Sequence, residues 1–309
     1  MSAPATAAPR LLLGLDSLLG ASHASRDRTL EIRARFHEPE SLAVTLSKAL
    51  GAGADGVLAS PFPLLRLALA ELKQPVPMYA LLPNVPDYVR DSSDLGLMGA
   101  AFKRLGRAKV STLLRLGITG LTHARSILAR DFTGLVPLLL ELEAATLGAR
   151  NLRGVVLAAP LTDLALAGRH RAFFEHYVRF VRRRFRAAAG LETHNLGQLL
   201  GALREWDVRP DLVIGPVNPR GLLMKPTPAE LLAELARAEV PVLAKELRAG
   251  GTVPLADGVR YAREHGARGL ATDLIDLDDL GRSCASCGAE ARCTVVRRGG
   301  SACDQPRLT

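Results

Sequence analysis

The second half of the chain alternates between two hydrophobic periods. Short runs with apolar side chains at every second residue predict strands over 190–194, 211–217, 241–247 and 269–274. Between them, apolar residues three and four apart predict helices over 196–206, 228–238 and 254–265. Thr227-Pro228-Ala229-Glu230 reads as a capping box with proline at the first helical position, and Thr252 ahead of Pro254 as a similar start. The first half is less regular. It predicts strands over 11–16, 56–60, 77–82 and 154–159, and helices over 41–50, 64–72 and 172–186. Eight strands alternating with helices predict an α/β fold, a single (β/α)8 barrel spanning 11–280. A doubly wound open sheet would place a G-x-G-x-x-G turn after the first strand, and Gly14 and Gly20 do not form one.

Two connections exceed ordinary loops: 17–40 after the first strand, and 84–151 after the third, with helices expected over 98–115 and 135–147. Long βα loops lie on the C-terminal face of a barrel, where they often close over substrates. Residues 1–10, rich in Ala and Pro, and 281–309, rich in Gly, Arg, Ser and Cys, are expected to be flexible.

Strand parity then turns the pattern into chemistry. Four runs place a small residue two positions before an acid: Gly14-Leu15-Asp16, Gly190-Leu191-Glu192, Ala244-Lys245-Glu246 and Ala271-Thr272-Asp273. Alternate residues of a strand share a face, so each small residue and its acid point the same way. In a closed barrel these acids would gather at the C-terminal mouth, above small side chains that leave room for a substrate. In the seventh strand, Leu243 and Leu247 are expected to pack outward against helices. That puts Ala244 and Glu246 toward the axis and Lys245 toward the helices. His194 shares the parity of Glu192.

Acids so confined need balancing, by protonation or by cations. The cations considered are a divalent metal, Lys225, and arginines such as Arg220 and Arg248. Glu192, His194, Glu246 and Asp273 would make a mixed N/O metal set. The metal-free alternative uses Glu192 as base, His194 as acid and Lys225 at an oxyanion. Lysine occurs only at 48, 73, 103, 109, 225 and 245 in an arginine-biased chain, so Lys225 and Lys245 near strand ends stand out. Lys245 could serve as a Schiff-base nucleophile if the strand bulged or ended before it. Asn195 and Asn218 follow strands directly, and Gly250-Gly251 could bring backbone N–H groups to a phosphate. With Asp16 and Asp273 these are the candidate substrate-binding residues. His23 could reach the mouth from the first long loop.

Net charge and cysteine usage change this picture little. A formal charge of +9 raises nucleic-acid binding, but aromatics are only 4%, which leaves few platforms for bases. The densest basic run, 179–186, reads as an amphipathic helix with a solvated Arg face. Cys284, Cys287, Cys293 and Cys303 all lie in the tail. They read either as a weak zinc set built on one C-x-x-C or as free thiols, and a barrel without cysteine suits a reducing compartment. No run is long enough to span a membrane and no basic n-region opens the chain, so a cytoplasmic location is expected. No oligomeric state follows from the sequence.

The rhythm of 187–274 and Gly250-Gly251 after the seventh strand resemble the phosphate-binding (β/α)8 barrels, a broad group including aldolases, isomerases and flavin-dependent oxidoreductases. The resemblance implies phosphate binding at the mouth. The group's Gly-rich segment after strand eight is replaced here by Asp273-Leu274-Ile275-Asp276. An H-x-H on the first strand and a nucleophile elbow are both absent from the sequence. The expected function is a lyase or isomerase working by carboxylate and histidine acid–base chemistry, with or without a divalent metal, on a small oxygenated or phosphorylated metabolite. The alternatives are a Schiff-base aldolase using Lys245 and a non-catalytic barrel that binds or scaffolds.

Overall fold

The computed structural model describes residues 8–19, 26–84 and 132–274. Its strands are β1 (Leu11–Gly14), β2 (Gly56–Ala59), β3 (Pro77–Leu82), β4 (Asn151–Leu157), β5 (Ala188–Glu192), β6 (Leu212–Pro216), β7 (Val242–Lys245) and β8 (Gly269–Asp273). They pair in sequence order, all parallel, and β8 returns to β1 to close the barrel. The helices are α1 (Asp16–Leu19), α2 (Arg26–Arg35), α3 (Pro39–Gly51), α4 (Pro63–Glu71), α5 (Phe132–Leu147), α6 (Ala159–Ala167), α7 (Arg171–Arg184), α8 (Leu196–Trp206), α9 (Pro228–Ala236) and α10 (Leu255–Glu264). The fold is a (β/α)8 barrel, as the alternation of periods predicts.

Two apolar shells hold it. Leu12, Leu58, Tyr79, Leu81, Val156, Leu212, Ile214 and Leu243 fill the barrel interior. The other strand face, with Leu13, Val57, Ala80, Val155, Leu191, Val213 and Ala244, packs on the helices. Period-2 strands buried on both faces are what an all-parallel sheet covered by helices requires. Tyr79 is the bulkiest interior side chain, and its neighbours make room for it. A Cβ at Gly154 would lie 2.5 Å from the Tyr79 ring, and one at Gly56 would lie 3.1 Å from it.

Helix α7 shows how the outer shell is tied down. Phe173, Phe174, Tyr177, Val178 and Val181 are buried along one face. The Tyr177 hydroxyl reaches two strands, donating toward the Val155 carbonyl at 2.8 Å and the Gly190 carbonyl at 2.9 Å. On the opposite side Arg182 pairs with Asp211 and Arg184 with the buried Glu141. Two arginines of the basic run are therefore committed within the chain.

Two short helices at the mouth were not anticipated. Helix α1 starts at Asp16, directly where β1 was expected to end. Helix α6 starts at Ala159, which the pattern assigned to β4. Its sequence, Ala159-Pro160-Leu161-Thr162-Asp163-Leu164-Ala165-Leu166-Ala167, is apolar on most sides and shows little helical period, but Pro160 in the first turn is a start signal. At α9 the expected cap is present: the Thr227 hydroxyl oxygen accepts the Glu230 N–H. At α10 the cap position is Pro254, and Thr252 instead donates to the Ala249 carbonyl. No helix among the described residues is long and apolar enough to cross a membrane.

Candidate functional site

The site lies at the C-terminal end of the strands, and its centre is Lys245, the last residue of β7. The Lys245 ammonium donates to Asp16 Oδ2 at 2.6 Å and to Glu192 Oε1 at 2.6 Å. These contacts join β7, the first turn after β1 and the end of β5 across the mouth. The Lys245 side chain retains 25% exposure, against 12% for Asp16 and 8% for Glu192. The trio is thus mostly withdrawn from water with the lysine still reachable.

This arrangement corrects the parity reading of β7. Leu243 belongs to the interior shell and Ala244 to the outer one. Lys245, two residues on from Leu243, therefore faces the axis. Bulk was the wrong guide, because a barrel interior is filled by large branched side chains rather than left open. Glu246 does not continue the strand: its backbone takes φ +57°, a left-handed turn that ends the alternation. In β1, β5 and β8 the small residue and its acid do lie on the interior side, as Ala271 in the inner shell and the contacts of Asp16 and Glu192 show.

Each acid has a distinct setting. The other oxygen of Glu192, Oε2, accepts the Ala159 N–H at 3.3 Å, at the N-terminus of α6, where exposed amides favour negative charge. Asp273 Oδ2 accepts the Ser17 N–H at 3.0 Å and so anchors the start of α1. Burial alone would favour a neutral Lys245. The charges of Asp16 and Glu192, and the hydrogen bonds they accept, outweigh that and hold its pKa well above the usual lysine value. The resting site contains an ammonium between two carboxylates.

His194 stands beside this trio, in the turn after β5. Its Nδ1 lies 3.3 Å from Asp163 Oδ2, on α6. That hydrogen bond is the main cause of a raised His194 pKa. Partial burial opposes it, Glu192 adds to it and Lys245 subtracts. Asp163 is lowered in turn: burial would raise it, but hydrogen bonds from His194 and Thr193 prevail. The sequence reading missed Asp163 because its helix was not recognised.

The remaining expected residues are dispersed. Lys225 is exposed, and its carbonyl accepts the Gly197 N–H, while no described contact brings its ammonium to the mouth. The lysine that meets the acids of the mouth is Lys245. Asn218 is fully buried, with its amide nitrogen donating to the Leu222 carbonyl and its amide oxygen accepting the Leu222 N–H, so it staples its own loop. Asn195 stands at the N-cap position of α8 without a side-chain capping bond, and its N–H donates to the Thr193 hydroxyl. Gly250 and Gly251 take φ +68° and +93° in the turn after β7, a conformation that favours glycine. Arg220 is exposed. Among the described residues no group of three or more His, Cys, Asp or Glu side chains is placed to hold a metal ion. The set Glu192, His194, Glu246 and Asp273 does not assemble as one: Glu192 is engaged by Lys245, His194 by Asp163 and Asp273 by Ser17. His23 and the four cysteines lie outside the described residues.

The fold and this mouth define a (β/α)8 barrel with a partly buried lysine–dicarboxylate cluster on its C-terminal face. The sequence matches no protein-family profile and no curated protein. Among solved structures the chain is similar to one described as "QR15, an Aldolase", with a TM-score of 0.42 and 14% identity over 81% of this chain and 92% of that chain. A likeness at that level carries no argument about activity.

Proposed function

We propose that this barrel is a lyase of the aldolase type that activates a small carbonyl compound as a Schiff base on Lys245. The observation that carries the reading is Lys245, the one lysine among the described residues that reaches the mouth, with a carboxylate oxygen 2.6 Å away on each of two sides. A lysine nucleophile must first lose a proton, and Asp16 and Glu192 are placed to take it. The neutral amine adds to the carbonyl carbon to give a carbinolamine. Protonation of its hydroxyl expels water and leaves an iminium ion. The iminium draws electrons from the neighbouring carbon–carbon bond, so a β-hydroxyl that loses its proton to a carboxylate releases an aldehyde and leaves an enamine. Reprotonation at carbon and hydrolysis return the amine. The sequence needs acids, bases and water, and no redox partner.

A second reading is favoured by the raised pKa of Lys245. A permanent ammonium would stabilise an enolate electrostatically while Glu192 and His194 move the proton, giving lyase or isomerase chemistry without a covalent bond. Borohydride reduction with acetaldehyde, acetone or hydroxyacetone as probes, followed by peptide mass mapping, separates the two. The first reading predicts a reduced adduct on Lys245 at well below the concentrations that modify surface lysines. Modification spread evenly over surface lysines would contradict it.

A further inference from the structure

The turn after β5 is held by one carboxylate from a helix that the chemistry above does not otherwise use. Asp163 Oδ1 accepts the Thr193 hydroxyl at 2.5 Å. Asp163 Oδ2 accepts the His194 backbone N–H at 3.2 Å and faces His194 Nδ1 at 3.3 Å. Thr193 in turn accepts the Asn195 N–H at 2.9 Å. One acid therefore fixes both the backbone and the ring of His194. The same helix fixes Glu192 through the Ala159 N–H, so α6 sets the positions of both groups flanking Lys245 on the β5 side.

We propose that Asp163 is a positioning residue that fixes the tautomer of His194 and makes its Nε2 the proton carrier of the mouth, an inference that rests on the carbonyl reading of Lys245. A carboxylate on Nδ1 keeps that nitrogen protonated and leaves exchange with substrate to Nε2. The Asp163 side chain is 18% exposed and the His194 side chain 45%, so the holding group is sheltered and the carrier meets solvent. Among the described residues, the charged groups acting on His194 are Asp163 from α6, Glu192 at the end of β5 and Lys245 from β7. In the iminium, loss of a proton from the carbon next to the former carbonyl gives the enamine. His194 Nε2 accepts that proton and returns it to the same carbon, so no atom is gained or lost.

Three readouts on the full chain test this. His194 titration by NMR needs no substrate. Deuterium exchange into acetone reads proton transfer at carbon, and borohydride trapping reads attachment to Lys245. Asp163→Asn is expected to lower the His194 pKa, to slow acetone exchange about 10–100-fold and to leave trapping on Lys245 in place. The double variant with His194→Gln should exchange no more slowly than His194→Gln alone, because both act through one ring. Asp163→Glu, which retains the charge, should keep the His194 titration raised. An unchanged His194 titration and exchange rate in Asp163→Asn would overturn the proposal, as would additive losses in the double variant. Should Asp163→Asn not fold, Asp163→Glu decides: a His194 titration that drops to the ordinary value despite the retained charge overturns it. Absence of any wild-type adduct on Lys245 would instead sink the covalent reading, and the NMR titration would still judge the dyad.

Discussion

The Lys245 ammonium sits 2.6 Å from Glu192 Oε1, although the two residues stand on β7 and β5 and are 53 positions apart in the chain. Only β6 stands between those two strands, and barrel closure through β8 brings Asp16, just after β1, to the other side of Lys245. The two carboxylates hold the lysine as an ammonium at rest, and they are also the only described groups in hydrogen-bond contact with it that can relieve it of a proton.

Removing the cation should expose what it balances. Lys245→Met leaves Asp16 and Glu192 facing each other with little water, and is expected to cost about 3 kcal/mol of stability near neutral pH. Adding Asp16→Asn and Glu192→Gln to the same variant should recover most of it. Urea unfolding of the single and triple variants checks this. A Lys245→Met protein as stable as wild type would show that the charges are not coupled.

The pKa shifts fix the sign of the pH dependence. Lys245 is raised in the folded protein, so its contribution is fully present below the ordinary lysine value and is lost only as pH climbs through the folded one. His194 is raised and Asp163 lowered, so their pairing is strongest between the ordinary aspartate and histidine values and fades as pH rises through the histidine's folded value. Lys245→Met should therefore abolish a stability loss in strong alkali that Asp163→Asn leaves intact. Melting temperatures recorded across pH for both variants test the assignment.

Glu192 is expected to matter to chemistry more than to folding. Glu192→Gln can still accept the Ala159 N–H and contact Lys245, but it cannot take a proton. Deuterium exchange into acetone should fall about 100-fold or more, with a smaller change in melting temperature. Exchange at the wild-type rate would remove Glu192 from the proton path.

Tyr177→Phe tests the frame rather than the site. The hydroxyl serves the Val155 and Gly190 carbonyls on adjacent strands, both buried. Its loss should destabilise the protein by about 1–3 kcal/mol and leave borohydride trapping on Lys245 unchanged.

Much of this was readable from the chain, and the exceptions have physical causes. The period switches gave the barrel because each strand and helix carries its own hydrophobic repeat. Gly14 with Asp16 and Gly190 with Glu192 were legible because a glycine beneath an acid leaves the parity unambiguous. In β7 the cue was reversed: Leu243 fills the interior and Ala244 meets the helices, so Lys245 rather than Glu246 reaches the mouth. The left-handed turn at Glu246 is invisible to an argument from alternation. Helix α6 has apolar side chains on most sides, so its period was hidden and Asp163 with it. Asn218 looked like a ligand from its place after a strand, but an amide there can equally close its own loop, and it does.

The most direct test of Lys245 as the nucleophile follows an oxygen atom. Forming and hydrolysing a Schiff base exchanges the carbonyl oxygen of the probe with water, whereas stabilising an enolate with a spectator ammonium does not. In water enriched in oxygen-18, wild-type protein should accelerate label uptake into acetone, and Lys245→Met should return it to the uncatalysed rate. Equal uptake with wild type and Lys245→Met, alongside deuterium exchange that still depends on Glu192, would contradict a covalent role for Lys245.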